Sequence, residues 1–394
     1  MPPAPTSASS ASMPRIPSLD GLRALSIFLV VALHTIQRYR VGHHVSKVWY
    51  ALFDGATGVY IFFVISGYLI TTLLLNEHRK RGSISMKSFY FRRAMRILPP
   101  LYAYVAVLLI LGWFGRLAIV RLDVISSLFF FHNYAPVSMW SLEHFWSLST
   151  EEQFYFLWPI LLLYCLRKPG IAGRLAASRI ALGVIVLSPI IRLVSYHSTN
   201  PYLHNGNAFH MRADSLMFGC ALALLQGTPR FERVYSLATR IWWIPPAVIF
   251  LSDYIGARYT NYWNLPIGYT ICGAAIAFFL LWCVRNPFSA VGRLLNARPV
   301  VHIGVLSYSI YLWQTLFLHH LNVSIFGPSF RLLTIFPFNW LAILAVAEIS
   351  FHLIEQPSLS LRNRLIRRFH LAAARCRSQP EVRIPPQPEA ARLS

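Results

Sequence analysis

Hydrophobic residues run along this chain in ten blocks, at residues 21–38, 55–76, 98–115, 149–166, 179–197, 213–227, 240–254, 263–284, 300–320 and 335–355. A block of about 20 mostly apolar residues is what a helix needs to cross the hydrocarbon core of a bilayer. The pattern predicts an all-α integral membrane protein with about ten transmembrane helices. Residues 116–148 are apolar and aromatic but too broken for a span, so they predict a long loop with interfacial or re-entrant helices. Backbone of that kind is tolerated at membrane depth only where protein or a cavity surrounds it. The expected domain plan is a disordered tail over 1–17, a membrane domain over 18–357 and a basic cytoplasmic tail over 358–394, with no extra soluble domain.

Composition fits this pattern: 56% of the 394 residues are hydrophobic and 13% are charged. The net charge of +22 would suit nucleic acid if it were gathered on one surface. It sits instead in short segments between the apolar blocks. With the N-terminus in the cytoplasm and ten alternating spans, 26 of the 36 Lys and Arg fall on the cytoplasmic side and nine on the outer side, with Arg23 inside the first block. Such a bias is how membrane topology is written. It predicts both termini in the cytoplasm and excludes a nucleic-acid role. Four of the five cysteines lie inside apolar blocks without paired spacing, which predicts buried apolar residues and no disulfide framework or metal site.

Against this apolar background the ionisable residues stand out, since a charge inside a span is costly and marks a functional candidate. In "SLDGLRALSIFLVVALH", at 100° per residue, Arg23 and His34 are eleven positions apart and Asp20 and His34 fourteen, so all three share one stripe. In "SFYFRRAMRILPPLY", Arg93 and Arg96 are three apart and face the same way. Guanidinium forks suit phosphates. Arg92 reads as plain anchoring, and Pro99–Pro100 as a re-aimed helix start. In "HFWSLSTEEQFYFLWPI", Glu151 and Glu152 open the fourth block among Trp146, Tyr155 and Trp158, where one acid could complement the helix dipole and Ser149 could cap it. "FHMRADSLMFG" adds Arg212 and Asp214, which read equally as a structural ion pair or as substrate ligands. "LSYSIYLWQ" places Ser307, Tyr308, Tyr311 and Gln314 in the ninth block. There is no G-x-S-x-G elbow, no phosphate loop or H-E-x-x-H, and no His-x4-Asp pair.

Together the stretches "LDGLRALSIFLVVALH", "FFVISGYLIT", "RRAMRILPPLY", "WSLSTEEQFYFLWP", "RADSLMFG" and "LSYSIYLWQ", in order over residues 18 to about 357, resemble the acyltransferase-3 family of bacterial membrane O-acyltransferases. The resemblance implies an acyl-CoA donor, most often acetyl-CoA, and a sugar-containing acceptor such as a surface polysaccharide or glycolipid. It implies a place in the bacterial inner membrane, an essential histidine at His34 and an arginine eleven before it at Arg23. It further implies the Arg-x-x-Arg pair at Arg93 and Arg96 and the acid at Glu151. Asp20, Trp146, Tyr155, Arg212 and Asp214 are expected near the substrate. The usual Trp-His of the ninth-span motif is here Trp313-Gln314, a departure. Many relatives carry a further C-terminal hydrolase-like domain, which this chain is expected to lack.

The mechanism this suggests has Arg93 and Arg96 hold CoA phosphates at the cytoplasmic mouth, with the pantetheine arm, of the order of 20 Å extended, reaching into the bundle. His34 would take the proton from an acceptor hydroxyl. Direct transfer and a covalent acyl intermediate both remain open. The competing class is a proton-coupled transporter of a small polar solute, which also needs charges inside a bundle.

Overall fold

The computed structural model describes residues 16–40, 46–136, 138–197, 206–259, 261–319 and 323–378. Most of the expected N-terminal tail and the last part of the C-terminal tail lie outside these residues. Among the described residues the chain is helical and has no strand. Each of the ten apolar blocks falls on a helix: α1 (Leu19–Arg40), α2 (Gly55–Arg81), α3 (Met86–Trp113), α4 (Phe145–Cys165), α5 (Ile171–His197), α6 (Phe209–Leu225), α7 (Ile244–Tyr259), α8 (Tyr269–Arg285), α9 (Arg298–Leu318) and α10 (Phe338–Ser350). Among the described residues seven stretches are long and apolar enough to cross a membrane, with an eighth if the bent pair Pro229–Ile241 and Ile244–Tyr259 is one span. The helices α4 and α6 are not among them. The first carries Glu151 and Glu152 in mid-helix, and the second is only 17 residues long.

Small residues set the helix crossings. A methyl group on Gly67 of α2 would stand 2.0 Å from the Leu216 carbonyl oxygen, and one on Gly219 of α6 would stand 2.1 Å from that of Val64. The two backbones therefore touch through reciprocal glycines, the close approach that small residues permit between membrane helices. Likewise Gly304 of α9 lies where a Cβ would meet the Asp20 carbonyl oxygen at 1.9 Å, which fixes the start of α1 against α9. Cys165, Cys220, Cys272 and Cys283 are free and buried.

Two helix starts differ from the sequence reading. α3 runs unbroken from Met86 through Pro99–Pro100, because neighbouring helices can re-satisfy the backbone groups a proline frees in a membrane protein. Arg92, Arg93 and Arg96 are therefore on the helix, one to three turns into it. α4 begins at Phe145, so Glu151 and Glu152 lie nearly two turns inside and Ser149 caps nothing. The basic tail opens as a helix, Gln356–Ser378, continuous with α10 through a π-turn over Phe351–Glu355.

The segment between α3 and α4 folds inward. It holds a short helix, Arg121–Leu128, and two 3-10 turns, His132–Tyr134 and Trp140–Leu142. Buried Asp123 ties its ends by accepting from the backbone N–H of Ser138 (2.9 Å) and of Met139 (2.6 Å). Gln153 of α4 donates to the Phe130 carbonyl at 2.8 Å and pairs amide to amide with Asn133. Gln153 is eight residues into α4, so the segment reaches roughly 12 Å down that helix at 1.5 Å per residue.

Candidate functional site

A cavity lies where α1, α2, α3, α4 and α9 meet. Arg23 comes from α1, Arg93 and Arg96 from α3, Glu151 and Tyr155 from α4, and Tyr308 and Tyr311 from α9. Residues dispersed over nearly 300 positions are thus brought to one wall. The periodicities that predicted this are simple. Arg93 and Arg96 are one turn apart, and Arg23 is on the face of α1 that carries Asp20, 3.7 Å away.

The acid is held firmly. The Glu151 carboxylate accepts from the hydroxyls of Ser66 and Tyr155, and the Arg93 guanidinium stacks over the Tyr155 ring at 4.1 Å. Arg23 feels the charges of both Arg96 and Arg93. Among the described residues Arg96 makes no hydrogen bond or ion pair, whereas its neighbour Arg92 is engaged by Ser88 (2.6 Å) and Glu77 (3.3 Å). Three guanidiniums therefore face a cavity whose lining carries one carboxylate. Asp20 stands beside Arg23, Glu152 near Arg93 and Glu355 near Arg96, and fork-shaped donors gathered on one wall suit a phosphorylated ligand.

His34 is elsewhere on the same helix, eleven residues from Arg23 or about 16 Å along the axis, and it is not among the residues lining the cavity. Its Nδ1 faces Oε1 of Gln314 at 3.3 Å. With the amide oxygen as the acceptor, Nδ1 carries the proton and Nε2 is the basic nitrogen. The next residue of α9, Thr315, contacts Nδ1 of a second buried imidazole, His144, at 3.2 Å, and Tyr311 donates to the His144 carbonyl at 2.7 Å. The Nε2 of His144 is buried and has no hydrogen-bond partner among the described residues. Glu151 belongs with the arginines, and the partner of His34 is Gln314.

The remaining candidates sort into other places. Trp146 packs edge-on against Phe63, a residue of the cavity wall, and lies 5.3 Å from the Arg212 guanidinium. Arg212 is caged by Trp146, Tyr60 and Tyr269 and donates to the Gly206 carbonyl at 2.6 Å. Asp214 does not pair with Arg212. It is fully buried and engaged by Arg192 (2.9 Å) and Thr270 (2.7 Å), away from the cavity lining. Sequence reasoning passed over Ser66, Ser147 and His144. Each lies inside a motif quoted above, yet single hydroxyls and a histidine before a tryptophan carry no periodic signal. Ser147 lines the cavity and is bonded to Tyr311. Among the described residues no group of three or more His, Cys, Asp or Glu could hold a metal ion.

A helical membrane bundle with this arrangement falls into a known class: the family model for an acyltransferase domain, acyltransferase-3, matches residues 16–350. The chain belongs to that family. Over 87% of its length it is 30% identical to the peptidoglycan O-acetyltransferase OatA of Listeria monocytogenes, covering 55% of that protein. It is 31% identical, again over 87% of its length, to YrhL of Bacillus subtilis, provisionally named a peptidoglycan O-acetyltransferase, of which it covers 54%. The chain thus spans about half the length of the curated relatives it matches. No solved structure matches it.

Proposed function

We propose that this protein transfers an acyl group, acetyl in the first instance, from cytoplasmic acyl-CoA to a hydroxyl of a sugar-containing acceptor at the outer face of a bacterial inner membrane. The observation that carries the reading is the cavity in which Arg23, Arg93 and Arg96 converge opposite one bound carboxylate. The ten-span topology with both termini cytoplasmic, and a membrane domain over 18–357, are part of the same proposal; the distribution of Lys and Arg supports them. The names of the relatives, which specify O-acetylation of peptidoglycan, support the transfer reaction.

In this reading Arg93 and Arg96 bind the phosphates of CoA, with Arg23 at the same wall. The pantetheine arm then runs along α1 toward His34, a span of about 16 Å that the arm can cover. His34, its Nδ1–H held by Gln314, presents Nε2 to the acceptor hydroxyl and takes its proton as the acyl carbon is attacked. CoA leaves as the thiolate, which takes up the proton that His34 now holds. Glu151 holds Tyr155 and, through that ring, the Arg93 guanidinium. The test is transfer of radiolabelled acetyl from acetyl-CoA in membranes: wild type labels a glycan fraction, His34→Ala does not. Full labelling by His34→Ala would overturn the assignment.

One observation favours a carrier instead. Asp54 and Asp253 both line a second, largely apolar cavity of about 840 Å3, and Thr57 donates to Asp253 at 2.9 Å. Paired carboxylates inside a bundle are what proton-coupled transport uses. Release of free CoA from acetyl-CoA by purified protein separates the two readings, because a carrier leaves the thioester intact.

A further inference from the structure

Beside Trp146 lies a cleft that the mechanism above does not use. Its floor is the first turn of α4 and its walls are the inward-folded segment, with His132, Asn133, Trp140, Glu143, Trp146 and Asn207 on the lining. We infer that this cleft is the subsite for the acceptor, and that it takes a neutral glycosyl unit of a glycan chain. The inference rests on the acyltransferase reading for the reaction and on the cleft alone for the binding.

Charge separates this site from the donor cavity. No Lys or Arg is among the described residues that line the cleft, and Glu143 is their one formal charge. Arg212 stands behind this lining, 5.3 Å from the Trp146 ring and 3.4 Å from Asn207 Oδ1, but on the lining itself an anionic ligand meets repulsion from Glu143. The donor, with its phosphates, is drawn to the three arginines. Two indoles among polar groups suit a pyranose, which presents an apolar C–H face and a rim of hydroxyls, while tryptophan presents a flat apolar body and a polar N–H. One face of Trp140 is covered by the stacked ring of His319, with centroids 4.5 Å apart, so this indole is held in a fixed orientation.

A buried polar atom adds an independent sign of a ligand. His132 is wholly buried, yet its Nε2 has no hydrogen-bond partner among the described residues. Its Nδ1 lies 2.8 Å from the Ser126 hydroxyl, whose own proton goes to the Asp123 carbonyl. The Ser127 hydroxyl lies 3.2 Å from the same Nδ1, so Nδ1 has two hydroxyl neighbours while Nε2 has none. Buried polar atoms are rarely left so, and a sugar hydroxyl at Nε2 would complete it.

The cleft also adjoins the donor cavity. Trp146 lines it, Ser147 lines the donor cavity, and Phe63 of that cavity touches the Trp146 ring edge. The partition between glycan and donor is one residue thick.

The experiment uses full-length protein in detergent with chitotetraose, a neutral oligosaccharide, as probe. Calorimetric titration without donor gives binding, and steady-state transfer from acetyl-CoA gives both KM values. Trp140→Ala should weaken chitotetraose binding about tenfold, the share of one stacked ring, and raise its KM equally. The acetyl-CoA KM should stay within about twofold. Trp140→Phe, which keeps a ring against His319, should recover most of the affinity and guards against a folding defect. Glu143→Gln should admit an anionic oligosaccharide that wild type rejects. Unchanged chitotetraose affinity in Trp140→Ala, or equal losses for sugar and donor, would overturn the cleft assignment while leaving acyl transfer standing. Sugar binding that is lost in Trp140→Ala, in a protein that never releases CoA, would keep the cleft and remove the reaction.

Discussion

The side-chain amide oxygen of Gln314 lies 3.3 Å from Nδ1 of His34, so α9 sets which nitrogen of the α1 imidazole is basic. The sequence flagged Gln314 as a departure from the family's Trp-His pair, and the structure puts that departure against the proposed base. Gln314→Ala removes one hydrogen bond, a contribution of about 1 kcal/mol. We therefore expect kcat to fall roughly fivefold to tenfold with the donor KM unchanged. His34→Ala should lose on the order of 10²–10⁴. If the two variants prove equally inactive, Gln314 does more than orient the ring.

Removal of Arg96 should affect binding without weakening the fold. It makes no hydrogen bond or ion pair among the described residues, and its electrostatic neighbours include the cation Arg23 and the buried carboxyl of Glu355, whose effects on folding oppose each other. Arg96→Ala should raise the acetyl-CoA KM about tenfold to a hundredfold, the worth of a charge-assisted hydrogen bond or two, with an unchanged or higher melting temperature in detergent. A lower melting temperature with an unaltered KM would place Arg96 among the structural residues.

Asp214 should behave in the opposite way. Its carboxylate and Arg192 are both fully buried, 2.9 Å apart, and Arg192 also donates to the carbonyls of Leu265 (2.6 Å) and Met211 (2.7 Å). Asp214→Ala leaves a buried guanidinium without its counter-charge, which costs about 3–5 kcal/mol. Size-exclusion profiles of fluorescently tagged protein should show most of the variant aggregated. A well-folded variant with a raised acceptor KM would instead return Asp214 to the substrate.

How much of this was legible in the sequence follows from which signals are local. Lengths of apolar runs and the i, i+3 spacing of Arg93 and Arg96 are local, so the helices and the arginine wall could be read directly. The eleven-residue spacing of Arg23 and His34 gave a shared stripe. It could not say that one end of the stripe opens on a cavity while the other meets α9. The start of α4 differs because Phe145–Leu148 adds a helical turn ahead of the charged pair Glu151–Glu152, which on sequence opens the helix. The partner of Asp214 was illegible for a simpler reason: Arg192 is 22 residues away on a different helix, and no periodicity links them. Ser66 and Ser147 are single hydroxyls in apolar runs, indistinguishable there from ordinary small packing residues.

The inward-folded segment should carry a pH dependence of its own. Burial holds the His132 imidazole below its ordinary value, with Asp123 opposing that shift only in part. In the unfolded chain the ring takes a proton as pH falls below about 6.5; in the folded segment it resists doing so until lower pH. The unfolded state therefore binds more protons in that window, and stability must fall as pH falls through it. The contribution is fully present above the unfolded value and is lost progressively below it. Melting temperature should drop between pH 7.5 and 5.5 in wild type, and the drop should be smaller in His132→Asn, which keeps a polar group but cannot titrate. Parallel melting curves for the two proteins across that range would show that His132 does not carry the linkage.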